Sequence, residues 1–153
     1  MTATPPSSPR EPRAPNAHWE HFPHQADVGV RGFGPTPDAA FEQAALAMTA
    51  AICDPRRIVP AVRVDIECEA QDLEMLLPAW LNDIVFEMAR HRMLFSRFRA
   101  AITGTRLAGE AWGESADQVR HQPAVEVKGA TVTELRVRQE PTGEWVAQCV
   151  IDV

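Results

Sequence analysis

Apolar and polar positions fall along this chain in blocks that read as separate elements. Residues 28–33 alternate: Val28, Val30 and Phe33 stand against Gly29, Arg31 and Gly32, which predicts a strand. Gly34-Pro35 marks a turn, and Thr36 with Pro37 predicts an N-cap and first helical position. From 37 to about 53, Ala40, Phe41, Ala44, Ala45, Met48, Ala51 and Ile52 recur at helical spacing. Asp38 and Glu42 suit the positive start of that helix. Asp54-Pro55 stops it.

Residues 62–69 alternate cleanly, with Val62, Val64, Ile66 and Cys68 on one side and Arg63, Asp65, Glu67 and Glu69 on the other. One apolar and one wet face predict an antiparallel setting. A second helix is expected over 73–91, with Asp72 as N-cap and an apolar stripe from Leu73 to Met88. Pro78 lies inside it and predicts a kink or a shifted start, at a cost of about 3 kcal/mol if uncompensated. The remainder reads as strands at 98–103, 106–112, 125–128, 131–138 and 144–151, with Pro141-Thr142-Gly143 as a hairpin turn joining the last two. A short strand at 18–22, with Trp19 turned inward, precedes the first block. The expected class is α+β: a two-layer sandwich with two helices packed on one face of a mostly antiparallel sheet.

Residues 1–17 are rich in Pro, Ser and Ala with almost no large apolar side chain, the composition of a disordered tail. A single domain over 18–153 is expected. The net charge of -6 argues against a broad nucleic-acid surface. Of the 15 basic residues only Lys128 is lysine, so it is the one compact ammonium in the chain. Three widely spaced cysteines without a C-x-x-C pattern read as small apolar residues, not as a disulfide frame or zinc site. No apolar run is long enough to cross a membrane, and no apolar leader stands at the start, so a cytoplasmic setting is expected.

Three places hold candidate chemistry. His24 and Asp27 stand three apart beside the first strand, a spacing that serves a metal, an acid–base pair or, more simply, a turn or capping residue. Asp152 and the carboxyl group of Val153 follow the last apolar strand. If that strand lies beside the Asp27 strand, three carboxylates converge and call for a hard cation; otherwise they are a solvated end. In HQPAVEVKGAT, residues 121–131, Glu126 and Lys128 share one strand face, either as a site or as an ordinary surface ion pair. Glu114 and Arg106 read as solvated or structural. No phosphate loop, nucleophile elbow or H-E-x-x-H pattern is present.

The blocks HQADVGVRGFGPTPDAAFEQAALAM, DLEMLLPAWLNDIVFEMA, WGE, HQPAVEVKGAT and CVIDV, in that order, resemble the archease family over residues 18–153. The resemblance implies a compact α+β fold. It also implies an accessory protein for the RtcB-type RNA ligase, which joins 2′,3′-cyclic-phosphate or 3′-phosphate ends to 5′-hydroxyl ends in tRNA splicing and RNA repair. Such proteins promote guanylylation of the ligase from GTP, with Mn²⁺, and so allow multiple turnover; RNA is met only through the ligase. The family's metal site carries over onto Asp27, Asp152 and Val153, with His24 as a further match. Calcium is the metal the resemblance implies first, with magnesium and manganese as alternatives. Lys128 matches a functionally implicated lysine that assists the ligase, and the chain carries no catalytic residue for a reaction of its own. A chaperone-like binding module and a stand-alone metal-dependent phosphohydrolase are the rival readings.

Overall fold

The computed structural model describes residues 16–153, so the expected tail lies outside the described residues apart from Asn16 and Ala17. The elements run β1 (His18–His24), β2 (Asp27–Gly34), α1 (Pro37–Ile52), a 3-10 turn (Pro55–Arg57), β3 (Val62–Glu69), α2 (Leu73–His91), β4 (Met93–Thr103), β5 (Arg106–Ser115), α3 (Gln118–His121), β6 (Gly129–Ala130), β7 (Arg136–Gln139) and β8 (Trp145–Asp152). Every strand pairing is antiparallel. The α+β class stands, with the strands divided between two sheets. One has the order β1-β2-β8-β6 with β7 also on β8, and the other has the order β3-β5-β4.

The helix starts follow from their caps. Thr36 Oγ1 accepts from the Ala39 amide at 3.1 Å, and Asp72 Oδ1 accepts from the Met75 amide at 2.8 Å. Each supplies an acceptor for an amide that has none inside its helix. Pro78 neither moves the start of α2 nor ends it: the helix runs unbroken from Leu73 to His91 with Pro78 in its buried face. Packing outweighs the missing hydrogen bond there. The neighbours Leu76, Leu77, Trp80, Leu81 and Ile84 are all fully buried, and a fully buried large apolar side chain contributes about 1.5–3 kcal/mol.

Small residues bring α1 down onto β2. A Cβ at Gly32 would lie 2.2 Å from the Ala40 carbonyl oxygen and 2.4 Å from the Ala44 amide nitrogen. The helix backbone therefore rests directly on the strand, which only glycine permits. Helix α2 is tied to α1 through Trp80, whose Nε1 donates to the Phe41 carbonyl at 3.1 Å. Asp38 and Glu42 do more than favour a helix start. They accept from the Ile102 and Ala100 amides of β4, at 3.3 and 2.9 Å, and so satisfy donors on the edge of the second sheet. Partial burial raises the Asp38 carboxyl above its ordinary value, despite the Ile102 amide.

Two expected strands are corrected. Residues 125–127 lie in no strand and Lys128 only adjoins β6, its amide donating to the Asp152 carbonyl; of 131–138 only the end enters a ladder, within β7. Only Gly129–Ala130 pairs with β8 in between. The alternation of Val125 and Val127 against Glu126 and Lys128 reflects an extended segment lying on the α2 side of the core, where Val127 is buried without a neighbouring strand. The 141–143 turn does join paired strands, β7 and β8. The three cysteines are all free. Burial pushes the Cys68 thiol up to about 11 and the Cys149 thiol up to about 12, which keeps both protonated and inert.

Candidate functional site

The β1–β2 hairpin closes on the pair His24 and Asp27. Between them Gln25 takes a left-handed conformation, φ 56°, and lets the chain reverse in two residues. Strand β2 then pairs with β8, and Val28 faces Ile151. One step further along this antiparallel ladder, Asp27 and Asp152 come to the same end of the sheet. The amide of Val153 donates to Asp27 Oδ1 at 3.2 Å. Asp27 is thus a capping residue, as its spacing allowed, but what it caps is the last strand and not its own turn.

Lys128 reaches the same end from the other side. Its amide donates to the Asp152 carbonyl at 2.8 Å, and the next residue, Gly129, pairs with Asp152. The four candidates His24, Asp27, Asp152 and Lys128 therefore gather at one end of four neighbouring strands, β1, β2, β8 and β6, with Val153 beside them. Asp152 and Lys128 are exposed, while His24, Asp27 and Val153 are half-buried. Lys128 makes no ion pair with Glu126 among the described residues, so the surface-pair reading of those two does not hold.

Two features of this site were not visible in the sequence. The first is Asn82, on the outer side of α2. Its Nδ2 donates to the Ala130 carbonyl at 3.2 Å, and its Oδ1 accepts from the Ala130 amide at 2.8 Å. The side-chain amide acts as a strand neighbour for β6, whose other side pairs with β8. A Cβ on Gly129 would sit 2.9 Å from that Oδ1. The second is a knot at the start of the 121–128 segment. His121, 1% exposed, accepts at Nδ1 from the Asp117 amide at 2.9 Å. Its proton therefore sits on Nε2, 2.9 Å from Glu114 Oε2, to which it donates. Glu114 also binds Arg120 and accepts from the Val59 amide at 2.9 Å. The Arg120 guanidinium first, then Val59 and His121, hold the Glu114 carboxyl down to about 2. The expectation that Glu114 is solvated gives way to its structural alternative. The Ala124 amide, donating to the Ile52 carbonyl at 2.7 Å, fixes the segment further on. Sequence spacing could point to these residues only through the WGE and HQPAVEVKG blocks, without revealing that they touch.

The donor set at the sheet end is all oxygen, with His24 as the one nitrogen. It fits a hard divalent cation and not zinc. Among the described residues, no three His, Cys, Asp or Glu side chains stand close enough together to hold a metal by themselves. Asp27 and Asp152 would need the Val153 carboxyl group, water or a partner's oxygens to complete a shell.

The Archease protein family (MTH1598/TM1083) matches residues 19–153. The protein archease of Pyrococcus furiosus is 38% identical over 139 residues, covering 88% of this chain and 98% of that one. The protein archease of Methanopyrus kandleri is 37% identical over 139 residues, covering 88% and 99%. Among solved structures, protein 1598 of Methanobacterium thermoautotrophicum superposes with a TM-score of 0.78 at 29% identity, covering 88% of this chain and 98% of that one. An archease of Thermotoga maritima, described as a possible chaperone, shares the fold at a TM-score of 0.55 and 15% identity, covering 94% and 99%.

Proposed function

The chain belongs to the archease family, and from that premise we propose that it activates a GTP-dependent RNA ligase of the RtcB type, promoting guanylylation of the ligase and multiple turnover. The observation that carries this reading is the convergence of Asp27, Asp152 and Lys128 at one end of the β2–β8 pair. Nucleotidyl transfer demands positioning and charge neutralisation more than new covalent chemistry. The ligase's histidine attacks the α-phosphorus of GTP and pyrophosphate leaves. An accessory protein therefore has to bring charge to phosphate oxygens, and this end of the sheet presents one ammonium and two carboxylates on strands that cannot shift independently.

Asp27, Asp152 and the Val153 carboxyl group would hold a divalent cation, calcium or else magnesium or manganese, with His24 alongside. Bound there, such an ion supplies positive charge for phosphate oxygens. Asp27 keeps the last strand in place through the Val153 amide. Lys128 is aimed by two fixed points, its own amide on Asp152 and the Asn82 clamp on Ala130. Nothing in this arrangement calls for a reaction of the protein's own.

The test is RNA ligation by the cognate ligase with GTP and Mn²⁺, under single- and multiple-turnover conditions, with and without this protein. The reading requires a gain confined to multiple turnover and lost in Asp27→Ala. No gain with the wild-type chain would overturn it. The chaperone-like alternative draws on the description of the Thermotoga maritima relative; it requires suppression of partner aggregation that is indifferent to Asp27 and Lys128.

A further inference from the structure

Among the described residues five large apolar side chains stand exposed: Val59, Val62, Phe86, Val119 and Val132. An exposed valine standing singly needs no explanation. Phe86 is the one aromatic ring of the five, 59% exposed, and its place is specific. It lies four residues after Asn82 on α2, which makes the two side chains neighbours on the helix surface. Asn82 is the residue that grips Ala130. Val132, also 59% exposed, lies two residues beyond Ala130.

The Asn82 clamp divides the surface of α2. Before it, Met75 and Ala79 meet Ala130 and Val132 around a shallow cavity of about 440 Å³. After it, Val85 and Met88 share a cleft with Val125 and Lys128. Phe86 follows Val85 directly, so it stands on the Lys128 side of the clamp, with Val132 on the other side. Exposed polar residues border the two: Asn82, Arg90 and Glu126. An apolar centre within a polar border is the composition of a protein-binding patch. Helix α2 already packs on the core through Leu77, Trp80, Leu81 and Ile84, so the fold itself does not call for a ring at position 86.

We propose that Phe86 is the anchor by which the ligase partner holds this protein, entering an apolar pocket on the ligase beside its nucleotide site. This rests on the reading given above for Lys128 and Asp27. Surface area is what selects the ligase as the occupant. A stable protein interface covers about 800 Å² on each side, far more than one ammonium and two carboxylates present. A partner seated over Lys128 and Asp152 therefore extends onto the neighbouring surface, and on the α2 side that surface is Asn82, Phe86 and Val132. Exposed charges contribute little to holding a partner, whereas an aromatic ring buried at the centre of an interface contributes much. Holding the ligase and acting on its nucleotide are thus divided between α2 and the end of the sheet.

The experiment is titration of the cognate ligase with the full chain, followed by calorimetry for binding and by multiple-turnover ligation with GTP and Mn²⁺ for half-maximal concentration and plateau. Phe86→Ser should raise the dissociation constant and the half-maximal concentration about tenfold or more, with plateau and melting temperature unchanged. Phe86→Leu, which keeps an apolar side chain, should fall between wild type and Phe86→Ser. Val132→Ser should weaken binding by a smaller factor. Lys128→Ala should show the opposite split, a lower plateau at an unchanged half-maximal concentration. A Phe86→Ser variant that binds and activates as wild type does would overturn the inference, and so would a wild-type chain that does not bind the ligase. Binding without activation would overturn the functional reading alone; loss of that binding in Phe86→Ser would still support the anchor.

Discussion

Asp27 and Val153 stand 126 residues apart in sequence and are joined by a 3.2 Å hydrogen bond from the Val153 amide to the Asp27 carboxylate. One side chain thus both closes the edge of the β2–β8 ladder and sets the position of the carboxyl groups around it. The two roles separate in mutants. Asp27→Asn keeps an oxygen acceptor for Val153 and removes the charge, whereas Asp27→Ala removes both. Both should abolish ligase activation. Only Asp27→Ala should lower stability, by about 1 kcal/mol, read from urea midpoints. A variant that is globally unfolded would show that Asp27 is structural first.

Lys128→Ala should impair guanylylation of the ligase from GTP without weakening divalent-ion binding, followed by calorimetry with Ca²⁺. The side chain is exposed, and the amide that pairs with Asp152 is untouched by the substitution. Normal activation by this variant would remove the lysine from the mechanism.

Asn82→Ala leaves β6 paired on one side only, because the Ala130 amide and carbonyl both lose their partner on α2. The expected cost is about 1–3 kcal/mol. Activation should fall as well, since Lys128 sits two residues before the released position. Asn82→Gln, with the same amide on a longer stem, should not restore it.

Gly32→Ala tests the seat of α1 on β2. Its new methyl would meet the backbone of Ala40 and Ala44, not the movable end of a side chain. A loss of about 3 kcal/mol or more is expected, seen as a large drop in melting temperature. A drop of less than one-third of that would mean that the helix can lift off the sheet cheaply.

Glu114 supplies a pH dependence of known sign. Its folded carboxyl is held to about 2 against an ordinary 4.5, so the native state favours the charged form. The stabilisation is present above 4.5 and is lost as pH falls from 4.5 toward 2. Wild type should exceed Glu114→Gln in stability above that window, and the gap should narrow through it. Denaturant midpoints across the pH series would show this, and a gap that stays constant would contradict it.

Much of this molecule was legible from local pattern. The alternation at 28–33 and 62–69 and the periodicity at 37–53 and 73–91 each describe a face that has to be buried, and Thr36 and Asp72 announce helix starts through hydrogen bonds that close within three residues. The same local reasoning misjudged 125–128, where alternation shows burial of one face but cannot say whether a strand lies alongside. It also allowed Pro78 to shift the start of α2, which the Asp72 cap fixes at Leu73. What only the tertiary structure decided is which strands are neighbours. The β2–β8 pairing brings Asp27 to Asp152. The Asn82 clamp fixes the approach of Lys128, and the burial of His121 turns Glu114 from a surface acid into a hub. Each of these depends on register between distant segments, which is set by packing across the core and leaves no periodic trace along the chain.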